Sequence, residues 1–278
     1  MKRAGYGKEG HLFFHYSIDP VYNESDDYIL HGHSLYEVYF LVGGKIHYLI
    51  EGKKYVPKPG SMLLMKPGVL HGYKLFPGEP YERYALHFDE SCLFPEYADR
   101  LLRPFTGTES ESGCHYSGAL LPGFSSLFEA LVLCSKMEPE AGLSSAKFAL
   151  HSLLSHIAYM SRHKTIDAPI ETASGAVSEI IRYINENYTR HITLDELSSA
   201  YFINKNYLNR LFRSVTGTTV MEYIIRKRIV LSQQLMMKGF SATEAGLRAG
   251  FGDYSSFFRA YRRINGHSPI CDRIKNIE

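Results

Sequence analysis

Leu208-Asn209-Arg210-Leu211-Phe212-Arg213, followed by Val215-Thr216-Gly217, recurs 49 residues later as Phe257-Phe258-Arg259-Ala260-Tyr261-Arg262, followed by Ile264-Asn265-Gly266. A repeat at a fixed offset predicts one supersecondary unit used twice. In the first copy, Leu194–Ala200 predicts a short helix capped by Thr193, residues 201–203 a turn, and Asn204 the cap of a second helix that Gly217 stops. In the second copy, residues 242–249 predict the short helix, Gly250-Phe251-Gly252 the turn, Asp253 the cap and Gly266 the stop. Two helices across a tight turn make a helix-turn-helix, whose second helix enters the major groove of DNA.

The faces of the two second helices fit that role. Leu208, Leu211, Phe212 and Val215 fall at i, i+3, i+4, i+7 and predict a buried stripe, as do Phe257, Ala260, Tyr261 and Ile264. Asn206, Asn209, Arg210 and Arg213 share another face of the first helix; Ser255, Phe258, Arg259 and Arg262 share the matching face of the second. Asn pairs bidentately with adenine and Arg with guanine, while other Arg side chains hold phosphates. An ordinary bundle with a solvated polar face would explain one such helix, but it explains two capped copies in one register poorly. Charge agrees: residues 1–169 hold 16 Lys and Arg against 19 Asp and Glu, whereas residues 170–278 hold 15 against 10. A basic part beside an acidic one places polyanion binding in the C-terminal part.

This C-terminal segment, about residues 175–273, resembles the AraC/XylS family of bacterial regulators. The resemblance rests on Ile192-Thr193-Leu194-Asp195-Glu196-Leu197, Tyr207-Leu208-Asn209-Arg210-Leu211-Phe212, Gly217, Tyr223-Ile224 with Arg226 and Arg228-Ile229, Gly250-Phe251, Phe257-Phe258-Arg259 and Gly266-His267-Ser268-Pro269, in order and at family spacing. It implies two helix-turn-helix units bridged by one long helix over about residues 220–238. It also implies base-reading positions at Asn206, Asn209 and Arg210 in the first unit and at Tyr254, Ser255, Ser256 and Arg259 in the second. The DNA-facing set is then Lys205, Asn206, Asn209, Arg210 and Arg213, with Tyr254, Ser255, Ser256, Phe258, Arg259 and Arg262. Gly246, Phe258 and Asp272 depart from the family's usual residues; Gly246 should loosen its short helix.

Residues from about 11 to 90 read as β. Runs at 37–42, 45–50 and 53–56 are separated by Gly43-Gly44 and Glu51-Gly52, which are hairpin signals. Further strands are expected at 61–65, 72–75 and 81–88, so the region predicts a sandwich or small barrel. Residues 91–121 read as irregular, and helices follow at about 123–134 and 143–163. The resulting architecture is α+β with two domains: a cupin-like barrel over residues 1–120, a helical dimerisation or relay segment over 121–165, a linker over 166–174, and an all-α double helix-turn-helix domain over 175–278. The helical segment could instead only cover one barrel face.

His31-Gly32-His33, Glu37 and Gly44 resemble the first cupin motif, and Gly60, Pro67-Gly68 and His71 the second. Independently, His31, His33 and Glu37 are spaced by even numbers, so a continuous strand would point them to one face, with His71 closing from a facing strand. Three uses compete: an effector pocket, a divalent metal site for iron, manganese or zinc, and a structural cluster; the pocket ranks first. Tyr36, Tyr39, Tyr48, Tyr73 and Tyr84 could stack on a sugar-like ligand or simply pack. The remaining histidines, His87 among them, read as surface or core residues.

No nucleophile elbow, P-loop or dinucleotide fingerprint occurs. Cys92, Cys114, Cys134 and Cys271 lack metal or framework spacing, and neither a signal peptide nor an apolar run of about 18 residues is present. The expectation is a cytoplasmic homodimeric regulator, with double-stranded DNA and a small effector as partners, RNA polymerase as a partner if it activates, no membrane and no obligatory cofactor. The rivals are a metal-dependent cupin enzyme fused to a DNA-binding domain, and a constitutive DNA binder whose barrel only dimerises.

Overall fold

A computed structural model describes residues 2–6, 12–19, 28–106, 114–116, 123–163, 167–173 and 175–272. The N-terminal part pairs two antiparallel sheets. The strands are β1 (Lys2–Tyr6), β2 (Leu12–Asp19), β3 (Ile29–His31), β4 (Tyr36–Gly43), β5 (Lys45–Ile50), β6 (Lys53–Tyr55), β7 (Met62–Met65), β8 (His71–Phe76), β9 (Tyr81–Phe88), β10 (Cys114–Tyr116) and β11 (Glu171–Thr172). One sheet runs β1-β2-β9-β4-β7-β10 and the other β11-β6-β5-β8-β3. One of the two hairpin signals holds: Glu51-Gly52 turns β5 into β6 with both residues at positive φ, whereas Gly43-Gly44 carries the chain from β4 in the first sheet to β5 in the second, and these two strands do not pair.

β4 is apolar at nearly every position because both its faces are covered. Tyr39 and Leu41 point between the sheets, where they meet Ile46, Tyr48, Ile50, Leu63 and Met65. Val38 and Phe40 point outward into a second core built with three helices: α1 (Pro95–Thr106), α2 (Phe124–Cys134) and α3 (Pro139–His163). From α3, Leu150, Leu153, Leu154 and Ile157 are fully buried there, each contributing about 1.5–3 kcal/mol.

Two readings need correction. Residues 91–121 are not irregular throughout, since α1 and β10 lie within them; α1 escapes a periodicity search because Pro95 and Pro104 read as punctuation. Residues 166–174 contain β11, whose Glu171 and Thr172 pair with Lys54 and Lys53 and so extend the second sheet.

The C-terminal part is helical: α4 (Gly175–Asn187), α5 (Leu194–Ala200), α6 (Lys205–Thr216), α7 (Val220–Met237), α8 (Ala242–Arg248) and α9 (Tyr254–Asn265). The predicted caps are all in place. Thr193 accepts from Glu196 N, Asn204 from Asn206 N and Asp253 from Ser256 N, while Gly217 and Gly266 close α6 and α9 in the left-handed conformation. Leu208 and Phe212 lie in one core with Val220, Tyr223 and Ile224. Phe257 and Tyr261 lie in another with Ile229 and Met236. Helix α7 therefore joins both cores, which makes the two units one body.

Gly246 has a packing role in α8. A Cβ there would lie 2.7 Å from Cγ and Cδ1 of Phe257, so the glycine is what lets α8 pack onto α9. Asp272 also has partners, accepting from the Tyr261 hydroxyl and standing 3.6 Å from His267 Nε2.

Candidate functional site

The polar constellation of the barrel forms from one cross-strand pair on each sheet. His31 of β3 faces His71 of β8 in the second sheet. Glu37 of β4 faces His87 of β9 in the first. His33 sits in the connection between β3 and β4. His31, His33 and Glu37 therefore do not share a continuous strand; the chain changes sheets between them, and the expected convergence arises by a different route. One ligand atom from each of His31, His33, Glu37 and His71 falls within 4.8 Å of the others.

Glu37 is the centre. Its Oε2 lies 2.8 Å from His33 Nε2, 2.9 Å from His71 Nε2 and 3.6 Å from His87 Nε2. Glu37 and His71 are buried, His71 completely. Both close histidines donate their other nitrogen to the backbone: His33 Nδ1 to Leu35 O at 2.9 Å, and His71 Nδ1 to Val69 O at 3.0 Å. Carbonyl oxygens only accept, so each Nδ1 carries a proton and the Nε2 atom is the one turned to the carboxylate. His71 Nε2 is buried against the Glu37 carboxylate. Burial opposes charge on Glu37, but the His87 and His71 imidazoles and the contacts with His33 and His71 outweigh it, holding the carboxyl well below the usual carboxylate range. Burial also lowers His33 to about 4, against the Glu37 contact.

A cavity of about 790 Å³ opens beside these groups, lined by Phe13, His15, His31, His33, Glu37, Tyr39, Tyr48, Tyr73, Arg83 and His87 among others. Of the five tyrosines singled out above, Tyr39, Tyr48 and Tyr73 line it. Tyr36 instead stacks on Phe88, and Tyr84 on Phe128, in the helix-covered core. Arg83 and His87 were missed. Arg83 is buried, 2.9 Å from Asp19 Oδ2, with its guanidinium 4.3 Å from the Tyr81 ring centre. The available signal was period two: Tyr81, Arg83, Ala85 and His87 share one face of β9, opposite Tyr84, Leu86 and Phe88.

The C-terminal candidates are less uniform. Lys205, Asn206, Arg210 and Arg213 of α6 are exposed, as are Ser255, Arg259 and Arg262 of α9. Lys205 pairs with Asp195, and Arg210 sits 5.3 Å over the Tyr207 ring. Asn209 is half-buried and accepts from Val220 N at 3.3 Å, which ties α6 to the start of α7. Ser256 completes the cap with Asp253. Tyr254 and Phe258 are half-buried with ring centres 6.1 Å apart, so Phe258 is not fully on the exposed face.

Residues 18–155 match the family model described as AraC-like ligand binding domain, and residues 197–273 match the one described as Helix-turn-helix domain. The chain is 24% identical to the uncharacterized HTH-type transcriptional regulator YbfI of Bacillus subtilis (strain 168), over 81% of this chain and 79% of that protein. It is 26% identical to the uncharacterized HTH-type transcriptional regulator YfiF of the same organism, over 87% and 77%. Among solved structures it is similar to unsaturated fatty acid bound ToxT from Vibrio cholerae, with 14% identity, 94% and 95% of the two chains covered and a TM-score of 0.44. With a ligand-binding domain model ahead of a helix-turn-helix model, and relatives named as HTH-type transcriptional regulators, the chain belongs to the AraC family of DNA-binding transcription regulators with an N-terminal ligand-binding domain.

Proposed function

We propose that the barrel cavity senses a small ligand at His31, His33, Glu37 and His71, and that these residues hold a divalent cation to which the ligand docks. The observation carrying this is the convergence of ligand atoms on one buried carboxylate. Two imidazoles are anchored by their Nδ1 atoms to backbone carbonyls and place their Nε2 atoms within 2.8 and 2.9 Å of one oxygen of a buried carboxylate. Imidazole nitrogens and a carboxylate gathered this closely are a donor set that fits a cation, and metal-binding imidazoles commonly give their other ring N–H to a backbone carbonyl, as these two do. Three imidazoles and one carboxylate suit zinc, iron or manganese. When bound, such an ion supplies a Lewis-acidic anchor for a carboxylate or hydroxyl of the ligand. The cavity volume falls in the range of small-molecule sites. Tyr39, Tyr48 and Tyr73 offer ring faces and hydroxyls, as a sugar-like effector would use, and Arg83 offers donors.

The domain is read as a sensor and not as an enzyme, in keeping with relatives named as regulators. The protein acts in the cytoplasm as a homodimer, with α2 and α3 as the dimer contact and RNA polymerase as a further partner if it activates. Among the described residues no helix is long and apolar enough to cross a membrane. On DNA, Lys205, Asn206, Arg210 and Arg213 serve the first unit, with Ser255, Ser256, Arg259 and Arg262 in the second.

The test of the sensory site is equilibrium dialysis of the purified full chain against Zn²⁺. One equivalent should bind, and Glu37→Ala or His71→Ala should weaken binding by about 100-fold or more, beyond the 10–100-fold typical of losing an outer-shell group. Unchanged binding in both variants would place any metal elsewhere and defeat the assignment.

A further inference from the structure

The segments that carry the site histidines are gripped by α7. Arg226 Nη1 donates to Leu30 O at 3.1 Å, one residue before His31. Lys227 Nζ donates to Gly68 O at 2.8 Å, and Gly68 N donates to His33 O at 3.1 Å. Leu70, next to His71, is completely buried in the C-terminal core with Ile180, Tyr223, Ile224 and Val230. There is no slack at this seam: a Cβ on Gly32 would lie 2.7 Å from Leu70 Cδ2 and 3.1 Å from Val230 Cγ2.

A second set of contacts braces the first. Glu51 turns β5 into β6 at φ 44, in the left-handed region that non-glycine residues avoid. Its carboxylate takes a buried ion pair from Lys227 at 2.6 Å and a hydrogen bond from Asn185 Nδ2 at 3.1 Å, while its N–H donates to Leu70 O at 3.0 Å. Gly52 beside it takes a φ of 80° and lies close under the C-terminal part, where a Cβ would meet Ile181 Cδ1 at 2.6 Å.

We propose that α7 reads the occupancy of the sensory site directly, through the Leu30–His33 and Gly68–His71 backbone segments, with Glu51–Lys227 as the latch that makes the contact rigid. This rests on the reading of the site as a cation and ligand site. Holding His31, His33 and His71 in one geometry fixes the carbonyls of Leu30 and Gly68, to which Arg226 and Lys227 are bonded. Helix α7 also carries the cores of both helix-turn-helix units, so a bias on α7 is a bias on the whole DNA-binding body. The route does not pass through α2 and α3, where the sequence reading put the relay; those helices pack on the outer face of the other sheet.

Amide hydrogen exchange of the full chain, with and without Zn²⁺, tests this. Zn²⁺ should slow exchange across Val220–Met237 by about fivefold to tenfold, the low end of ordinary coupling between sites. In the Glu51→Gln/Lys227→Met double variant, Zn²⁺ affinity should stay within about threefold of the wild type while the α7 response falls below about twofold, because coupling energy is lost where the shared contacts are cut. Failure of the wild-type chain to bind Zn²⁺ removes the site reading and this inference together. Binding that leaves α7 exchange unchanged overturns the coupling alone, and that measurement depends on no variant folding. An α7 response that survives in the double variant overturns the latch.

Discussion

The two helix-turn-helix units are built on one plan and differ most in the turn. In the first, α5 ends at a left-handed Phe202 with φ 55, and the ring is 96% exposed. In the second, α8 ends at a left-handed Gly250 with φ 99, pressed so close to Thr189 that a Cβ would lie 2.5 Å from its carbonyl oxygen. One unit tolerates a bulky residue in a strained conformation because open solvent surrounds it. The other has no space for any side chain. The same contrast runs through the helices: α8 begins with a reciprocal capping box between Ser241 and Glu244, and Arg263 of α9 makes a two-bond ion pair with Glu222 of α7. Composition makes the second unit look the looser of the two, with Gly246 inside a short helix. Packing reverses that ranking, because a glycine's helix cost and the close approach it permits are separate effects.

The comparison breaks first at Gly250. Gly250→Ala combines a left-handed backbone with a backbone clash and should cost about 3 kcal/mol, read as a lower denaturant midpoint at unchanged m-value. Unaltered stability would mean that α8 and the Thr189 segment are not packed as described. The DNA faces come next. Arg210→Ala should weaken binding to the cognate operator by about 1–3 kcal/mol at fixed salt if Arg210 pairs with a guanine edge. A base-by-base operator scan should show the first unit reading more sequence than the second, whose Phe258 offers only apolar contact. Equal sensitivity under both units would contradict this.

Gly246→Ala sharpens the comparison by sign. Helix propensity alone predicts a gain of about 1 kcal/mol, whereas overpacking against Phe257 predicts a net loss of about 1–2 kcal/mol. Thermal or urea unfolding decides between them, and a more stable variant would restore the view of α8 as a loose helix. The smallest effect is expected at Phe202. Phe202→Gly relieves the left-handed strain, worth about 1–2 kcal/mol, against added freedom in the unfolded chain, for a net gain of about 0.5 kcal/mol. A clear loss would show that the exposed ring has a stabilising partner.

How much could be read in advance follows the range of the interactions involved. Thr193, Asn204, Gly217, Asp253 and Gly266 bound α5, α6 and α9 as expected, because a cap joins atoms only a few residues apart. The hairpin at Glu51-Gly52 is legible for the same reason, whereas Gly43-Gly44 signals a turn but not that β4 and β5 enter different sheets. Local sequence therefore determined the double helix-turn-helix, the strand-rich N-terminal part and the four residues of the histidine–glutamate cluster as a composition. Tertiary structure alone decided how that cluster forms. His31 and Glu37 belong to different sheets, and His87 joins them only through the register of β4 against β9. It also decided that Asn209 serves the α6–α7 junction, that Gly246 is a packing residue and that Glu51 meets Lys227 across 176 positions of chain. Such contacts depend on which surfaces the folded chain brings together, and the local spacing of residues carries no record of that.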